Sequence, residues 1–190
     1  MKNITVALTI ILTFSLLTIG SAQNFALNSV GGRVGVVFPE DWDTGFYLGA
    51  TANVGEITDN LEMYPSLSYW SAGFSEAGVD LSLSNIQIAG DIHYFLENVQ
   101  GLYFGGGISI NFFSFDFPSV EVIYDPVTGL PVDYRSTTDS ESKTKFGIGV
   151  LAGYEIPIGN NMGFVEGKYN IISDFGTFEL GVGILFDISK

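Results

Sequence analysis

The sequence predicts an all-β protein in which eight antiparallel strands close into a transmembrane β-barrel. Three observations carry that prediction. Large apolar residues alternate with small or polar ones in eight separate stretches. The clearest is the last, where Phe178, Leu180, Val182, Ile184, Phe186 and Ile188 interleave with Glu179, Gly181, Gly183, Leu185 and Asp187. A strand sends successive side chains to opposite faces, so each stretch has one oily face and one small or polar face. The chain also combines a net charge of −14 with a positive mean hydropathy, which implies more apolar surface than a small soluble core absorbs. Finally, the long uncharged piece 101–115 is interrupted by Gly105-Gly106-Gly107 and Asn111, so it does not read as a membrane helix. In hydrocarbon every backbone amide must be paired, and strands achieve this only in a closed sheet.

The elements follow in chain order. The N-terminus opens Met1-Lys2, runs through an uncharged apolar stretch over 4–19, and reaches Gly20-Ser21-Ala22 before Gln23. A positive start, a short apolar core and small residues before a break predict a secretory signal peptide over 1–22. The stretch is shorter than the roughly 20 apolar residues of a spanning helix. A single barrel domain is then expected over 23–190, with strands near 29–38, 45–56, 61–70, 84–95, 102–115, 145–156, 162–172 and 177–188. In the first, Val30, Val34, Val36 and Phe38 oppose Gly31, Arg33 and Gly35. In the second, Phe46 and Leu48 oppose Tyr47 and Gly49. The third contains Pro65, which cannot donate to a ladder, so a bulge or break is expected there. The fourth sets Ile86, Ile88, Ile92 and Tyr94 against Asn85, Gln87, Asp91 and His93. In the fifth, Phe104, Ile108 and Phe112 oppose Tyr103, Gly107 and Asn111; in the sixth, Phe146, Ile148 and Val150 oppose Lys145, Gly147 and Gly149. The seventh is less regular, with Val165, Tyr169 and Ile171 opposite Phe164, Glu166, Lys168 and Asn170.

The links differ in length between the two rims, in part only, since 39–44 and 173–176 on the loop side are short as well. Those at 56–60, 96–101 and 157–162 are short, whereas 71–83 and 116–144 on the opposite rim are long; short periplasmic turns facing longer outer loops are the habit of outer-membrane barrels. Aromatics near the strand ends predict two girdles, with Phe38, Phe46, Phe112, Phe146 and Phe178 on the loop side and Tyr94, Phe104, Tyr154 and Phe186 on the turn side.

Composition excludes several chemistries. The chain contains no cysteine, so no disulfide framework is expected. Only seven residues are Lys or Arg, too few and too scattered for nucleic acid. Gly147-Ile148-Gly149 and Gly181-Val182-Gly183 complete no phosphate-binding fingerprint; small inward residues that make room for large ones explain them better. Arg33, Glu62, Asp91, Lys145, Glu155, Glu166, Lys168, Glu179 and Asp187 fall on the inward faces. An eight-stranded barrel is barely wide enough for its own side chains, so these charges must pair or be hydrated. Arg33, Lys145, Glu155, Glu166, Lys168 and Glu179 are the candidate lumen network, a salt-bridged plug or a gate, with Arg33 facing Glu179. His93 is the only histidine and falls near the short-turn rim, away from any outer-leaflet chemistry. No catalytic constellation, cofactor or metal is expected. The 116–144 segment is acidic, with Asp116, Tyr124, Asp125, Asp133 and Tyr134 as a candidate surface patch. Its alternation suggests a hairpin beyond the membrane that turns at Asp125-Pro126-Val127-Thr128-Gly129. The spacing of a calcium loop is absent.

Taken together, the leader, the Glu166-Gly167-Lys168-Tyr169 strand with inward charges and the aromatic-alternating last strand resemble the small eight-stranded outer-membrane barrels, the OmpA-type transmembrane domain and its porin-like relatives. The resemblance covers 23–190. It implies a monomeric barrel in the bacterial outer membrane, embedded in the lipid bilayer, with its last strand read by the barrel-assembly machinery. Family members often finish on an aromatic, whereas this chain runs four residues past Phe186. The role it implies is structural or surface-interacting, without catalysis and with an external ligand left unspecified. A narrow porin or carrier for small, apolar solutes, as in OmpW-like relatives, is the alternative. A secreted soluble barrel that binds a ligand inside is a second alternative, opposed by the inward glycines and charges.

Overall fold

The computed structural model describes residues 26–76, 79–124, 128, 130–173 and 175–188. The expected leader over 1–22 lies outside the described residues, as do Asp125 and most of the expected 125–129 turn. The described chain forms β1 (Ser29–Pro39), β2 (Gly45–Asn53), β3 (Glu56–Thr58), β4 (Leu61–Glu76), β5 (Val79–Phe95), β6 (Leu102–Tyr124), β7 (Pro131–Ile158), β8 (Asn161–Ile172) and β9 (Phe175–Asp187). Sequential strands other than β2 and β3 pair antiparallel, β9 returns to β1, and β2 pairs with β4, so the sheet closes on itself. Because β2 and the short β3 lie end to end along the same edge of β4, nine strands build eight staves. The closing seam is in register along its length, with Val30 opposite Phe186, Val34 opposite Val182 and Phe38 opposite Phe178.

Side-chain direction follows the alternation. Phe46, Leu48, Val34, Ile148, Val150 and Val182 are all exposed, Phe46 by 75%. The residues between them face a packed interior: Arg33, Asp91, Glu166, Lys168 and Glu179 are each 5% exposed or less. A water-soluble protein would invert this arrangement. At the rims, Phe38 stacks with Phe178 at 6.1 Å between ring centroids, and Tyr94 packs against Phe104 at 5.5 Å. Both pairs lie where the girdles were expected. Inward glycines make room for large neighbours. A Cβ at Gly181 would overlap Tyr47, one at Gly183 the Phe164 ring, and one at Gly153 the Tyr103 ring.

The structure differs from the sequence reading in four places. The ladder between β4 and β5 passes through Pro65, opposite Gly90, with no shift of register. The irregularity falls instead on the neighbouring stave, where the expected 45–56 strand breaks at Val54 and Gly55 (φ 101°). Met63 exchanges backbone hydrogen bonds with Val54 and Gly55, so Pro65, two residues on, also turns its backbone toward β2. The amide that proline lacks is therefore missing on the side where β2 ends, and the kink sits in the partner.

The expected loop at 71–83 is mostly strand, in β4 and β5, whereas 116–144 forms the hairpin its alternation suggested, in β6 and β7. Outside the bilayer a hairpin needs no oily face, so the apolar alternation fades while backbone pairing continues. Lastly, Asp187 is exposed where β9 reaches the rim, not enclosed in the lumen.

Val182 lies midway between the girdle residues Phe178 and Phe186. Val182→Arg is expected to cost about 2–4 kcal/mol when unfolding is measured in lipid vesicles, the penalty for a cation at mid-bilayer. An exposed position in water would tolerate the change.

Candidate functional site

Two regions carry polar chemistry in an arrangement that packing alone does not require: the lumen and the long outer hairpin. The lumen is layered. At the loop-side mouth, Trp70, Phe113 and Ile172 pack beneath Trp42, Phe115 and Phe175. Below them lies an amide belt. Asn85 Nδ2 and Gln87 Nε2 donate to Asn111 Oδ1 at 2.9 and 3.0 Å, and Asn111 Nδ2 donates to Ser109 Oγ at 2.9 Å. These residues occupy alternate positions of β5 and β6, so the two-residue repeat delivers them to one face.

The ionic layer comes next. Arg33 on β1 spreads its guanidinium between two staves. Nη1 donates to Glu166 Oε1 on β8 and Nη2 to Glu179 Oε2 on β9, each at 3.1 Å. The second oxygen of each carboxylate is also bonded, Glu166 Oε2 by the Tyr103 hydroxyl and Glu179 Oε1 by Asn170 Nδ2, both at 2.9 Å. Across the barrel, Lys168 Nζ donates to both oxygens of Asp91, at 2.7 and 2.6 Å. Such charge-assisted, multiply bonded pairs are the form in which buried ions are tolerated.

Nearer the short turns, His93 is sandwiched between Tyr64 and Tyr103, with ring centroids 4.0 and 4.4 Å away and planes within 13° and 7° of parallel. Its Nε2 is 3.8 Å from Glu166 Oε2. The Tyr64 hydroxyl donates to Glu62 at 2.7 Å, and Glu155 lies 3.3 Å away. Phe164 and Leu185 complete this layer around Tyr64. Arg33, Asp91, His93 and Glu166 border a void of about 10 Å³, room for about one water.

Of the six candidate network residues, the structure joins Arg33, Glu166 and Glu179. Lys168 takes Asp91 as its partner. Glu155 sits one layer toward the short turns, beside Tyr64. Lys145 lines a separate small cavity at the mouth, with Trp42, Phe115 and Phe175. The parts played by Asp91, Tyr103 and His93 went unassigned in the sequence. Their inward parity was readable, but which side chains meet across a barrel depends on its stagger. Arg33 lies directly opposite Gly183 on β9 and reaches Glu179, four residues away.

The outer region is the β6–β7 hairpin. Its ladder runs from Leu102 opposite Tyr154 to Tyr124 opposite Pro131. Asp116 accepts from Ser140 Oγ at 2.6 Å, and Ser119 and Thr137 share a hydroxyl bond at 2.6 Å. Lys143 lies 3.3 Å from Glu141 and 5.8 Å from the centre of the Phe115 ring. Asp133 is exposed, and Tyr124 and Tyr134 are 60% and 67% exposed.

A closed sheet of eight staves, oily outside and ion-paired within, defines a transmembrane β-barrel with a filled lumen. Among solved structures it is similar to the attachment invasion locus protein Ail of Yersinia pestis (17% identity, TM-score 0.50, covering 84% of this chain and 97% of that one). It is likewise similar to Neisserial surface protein A (14% identity, TM-score 0.52, covering 84% and 96%). Both are eight-stranded outer-membrane barrels, and the chain shares that fold. No family model matches the sequence, and no curated protein matches it.

Arg33→Ala removes the only cation bonded to Glu166 and Glu179 among the described residues. It is expected to destabilise the barrel by about 3–5 kcal/mol in denaturant unfolding. Combining Arg33→Met with Glu166→Gln and Glu179→Gln removes the stranded charges and is expected to recover most of that loss.

Proposed function

We propose that the chain is a bacterial outer-membrane protein whose barrel is an anchor and whose β6–β7 hairpin is an external interaction surface, without catalysis. On this reading residues 1–22 direct export and are removed, the last strand is read by the barrel-assembly machinery, and the barrel is monomeric within its own membrane. The observation that carries the reading is the contrast between a filled lumen and an outsized hairpin. From Phe112, at the expected girdle, β6 continues to Tyr124, about 40 Å of additional strand. The lumen supports a plug over a conduit, because the Arg33 fork, the Lys168–Asp91 pair and the tyrosine–histidine stack fill its cross-section. The outward oily face opposes a secreted soluble barrel. One of the two similar barrels is named for attachment and invasion, which fits a role at the cell surface.

Reconstitution tests this reading. The chain is expected to require detergent or lipid, to migrate differently in gels when heated, and to give no stepwise current in planar bilayers. A steady open-channel current from the unmodified chain would overturn the plug and favour the porin alternative.

A further inference from the structure

Among the described residues, β7 has no neighbour on its β8 side beyond Gly147, which lies opposite Ile172. From 131 to 146 its one partner among the described residues is β6, leaving one long backbone edge open. The Glu155 amide donates to Gly101 just before β6, so odd-numbered residues of β7 turn their backbone toward β6. Even-numbered residues therefore present N–H and C=O groups to the open edge. An exposed edge of this kind pairs with another strand unless its side chains prevent it.

The side chains on this edge select a partner. Along the odd positions the charges read Asp133, Arg135, Asp139, Glu141, Lys143 and Lys145. About Thr138 this order is opposite in sign to itself. We infer that the open edge of β7 pairs antiparallel with the same edge of a second copy of this chain, centred on Thr138, joining two facing membranes. This inference rests on the outer-membrane reading above and names the partner of its external hairpin.

In this register Asp133 faces the second copy's Lys143, and Arg135 faces its Glu141. Thr137 meets Asp139, and no like charges meet. The two-fold repeats each pair. The charged residues fall at positions without backbone bonds between the copies, where opposite side chains approach most closely. Thr138 meets its own counterpart at a bonded position.

The neighbouring registers fail. Centring on residue 139 sets Asp139 against itself and Arg135 against Lys143. Centring on 137 sets Asp133 against Glu141. Centring on Ser142 avoids like charges but drives Thr137 of one copy onto Gly147 of the other, where β8 already sits.

The pairing also determines how the two copies are oriented. In every copy β7 runs from the hairpin tip toward its own membrane. Two copies in one membrane run β7 in the same sense, so an antiparallel pair joins copies from opposed bilayers. From Phe146, at the girdle, to Thr138 is about 27 Å of strand. Doubled and allowing for tilt, this sets the bilayer surfaces about 40–55 Å apart.

Charge exchange in phosphatidylcholine vesicles carrying the refolded chain tests the inference. Vesicles with the unmodified chain should cluster, with membrane gaps of about 40–55 Å by cryo-microscopy, and should disperse as salt is raised. Arg135→Glu alone and Glu141→Arg alone should each reduce clustering about tenfold, because each sets like charges face to face. Mixing vesicles of the two variants should restore it, because each then meets its opposite. Undiminished clustering of either variant, no recovery in the mixture, or equal clustering with protein-free vesicles would overturn the pairing. The last result would mean that the hairpin tip binds lipid. Heat-modifiable mobility is read in the same samples; its loss in the unmodified chain would overturn the membrane reading and the pairing with it.

Discussion

A strand whose outer face meets acyl chains has no water to satisfy its amides, so each stave must find a neighbour on both sides. The rest of the barrel depends on that requirement. It forces the last strand back onto the first, and with eight staves it fixes an interior about as wide as two opposed side chains. A sheet closed this tightly cannot leave its inner face to chance. Large residues such as Tyr47, Tyr103 and Phe164 enter only where glycines across the sheet give way. The glycine content is thus a consequence of closure.

Within so narrow a bore, charge works as a tie between staves. Arg33 binds β1 to β8 and β9, while Lys168 crosses from β8 to Asp91 on β5. Two cations meet three carboxylates in this layer, and the hydroxyl of Tyr103 and the amide of Asn170 engage the remaining oxygens. The burial of each ion is offset by several bonds at once, and for that reason removing one partner disturbs the others. The aromatic layers above and below keep water out and strengthen these attractions.

How much of this was legible in the sequence follows from the same physics. Alternation reports which face a side chain takes, so the outward valines, isoleucines and phenylalanines and the inward Arg33, Asp91, Glu166, Lys168 and Glu179 could all be placed. The staves, the closed topology and both girdles followed. Closure of the last strand on the first set Arg33 beside Glu179, but the tie from Lys168 to Asp91 could not be read, because it depends on stagger and no local pattern encodes stagger. The strand content of 71–83 was underestimated for a related reason. Past the membrane the requirement for an oily face lapses, and a stretch such as 71–83, which carries Gly73 and Gly78, is easily read as loop. Pro65 marked a real irregularity but on the wrong stave, since the missing amide is felt by the neighbour.

The Arg33 fork has a consequence for the order of assembly. Its carboxylates lie 133 and 146 positions further along the chain. Until the C-terminal strands arrive, this guanidinium has neither counterion in reach, so a nascent or truncated chain carries an uncompensated cation on its first stave. Contacts so distant in sequence form late and slowly. Sealing the seam and neutralising the bore are therefore one event, and a chain shortened at its far end loses both.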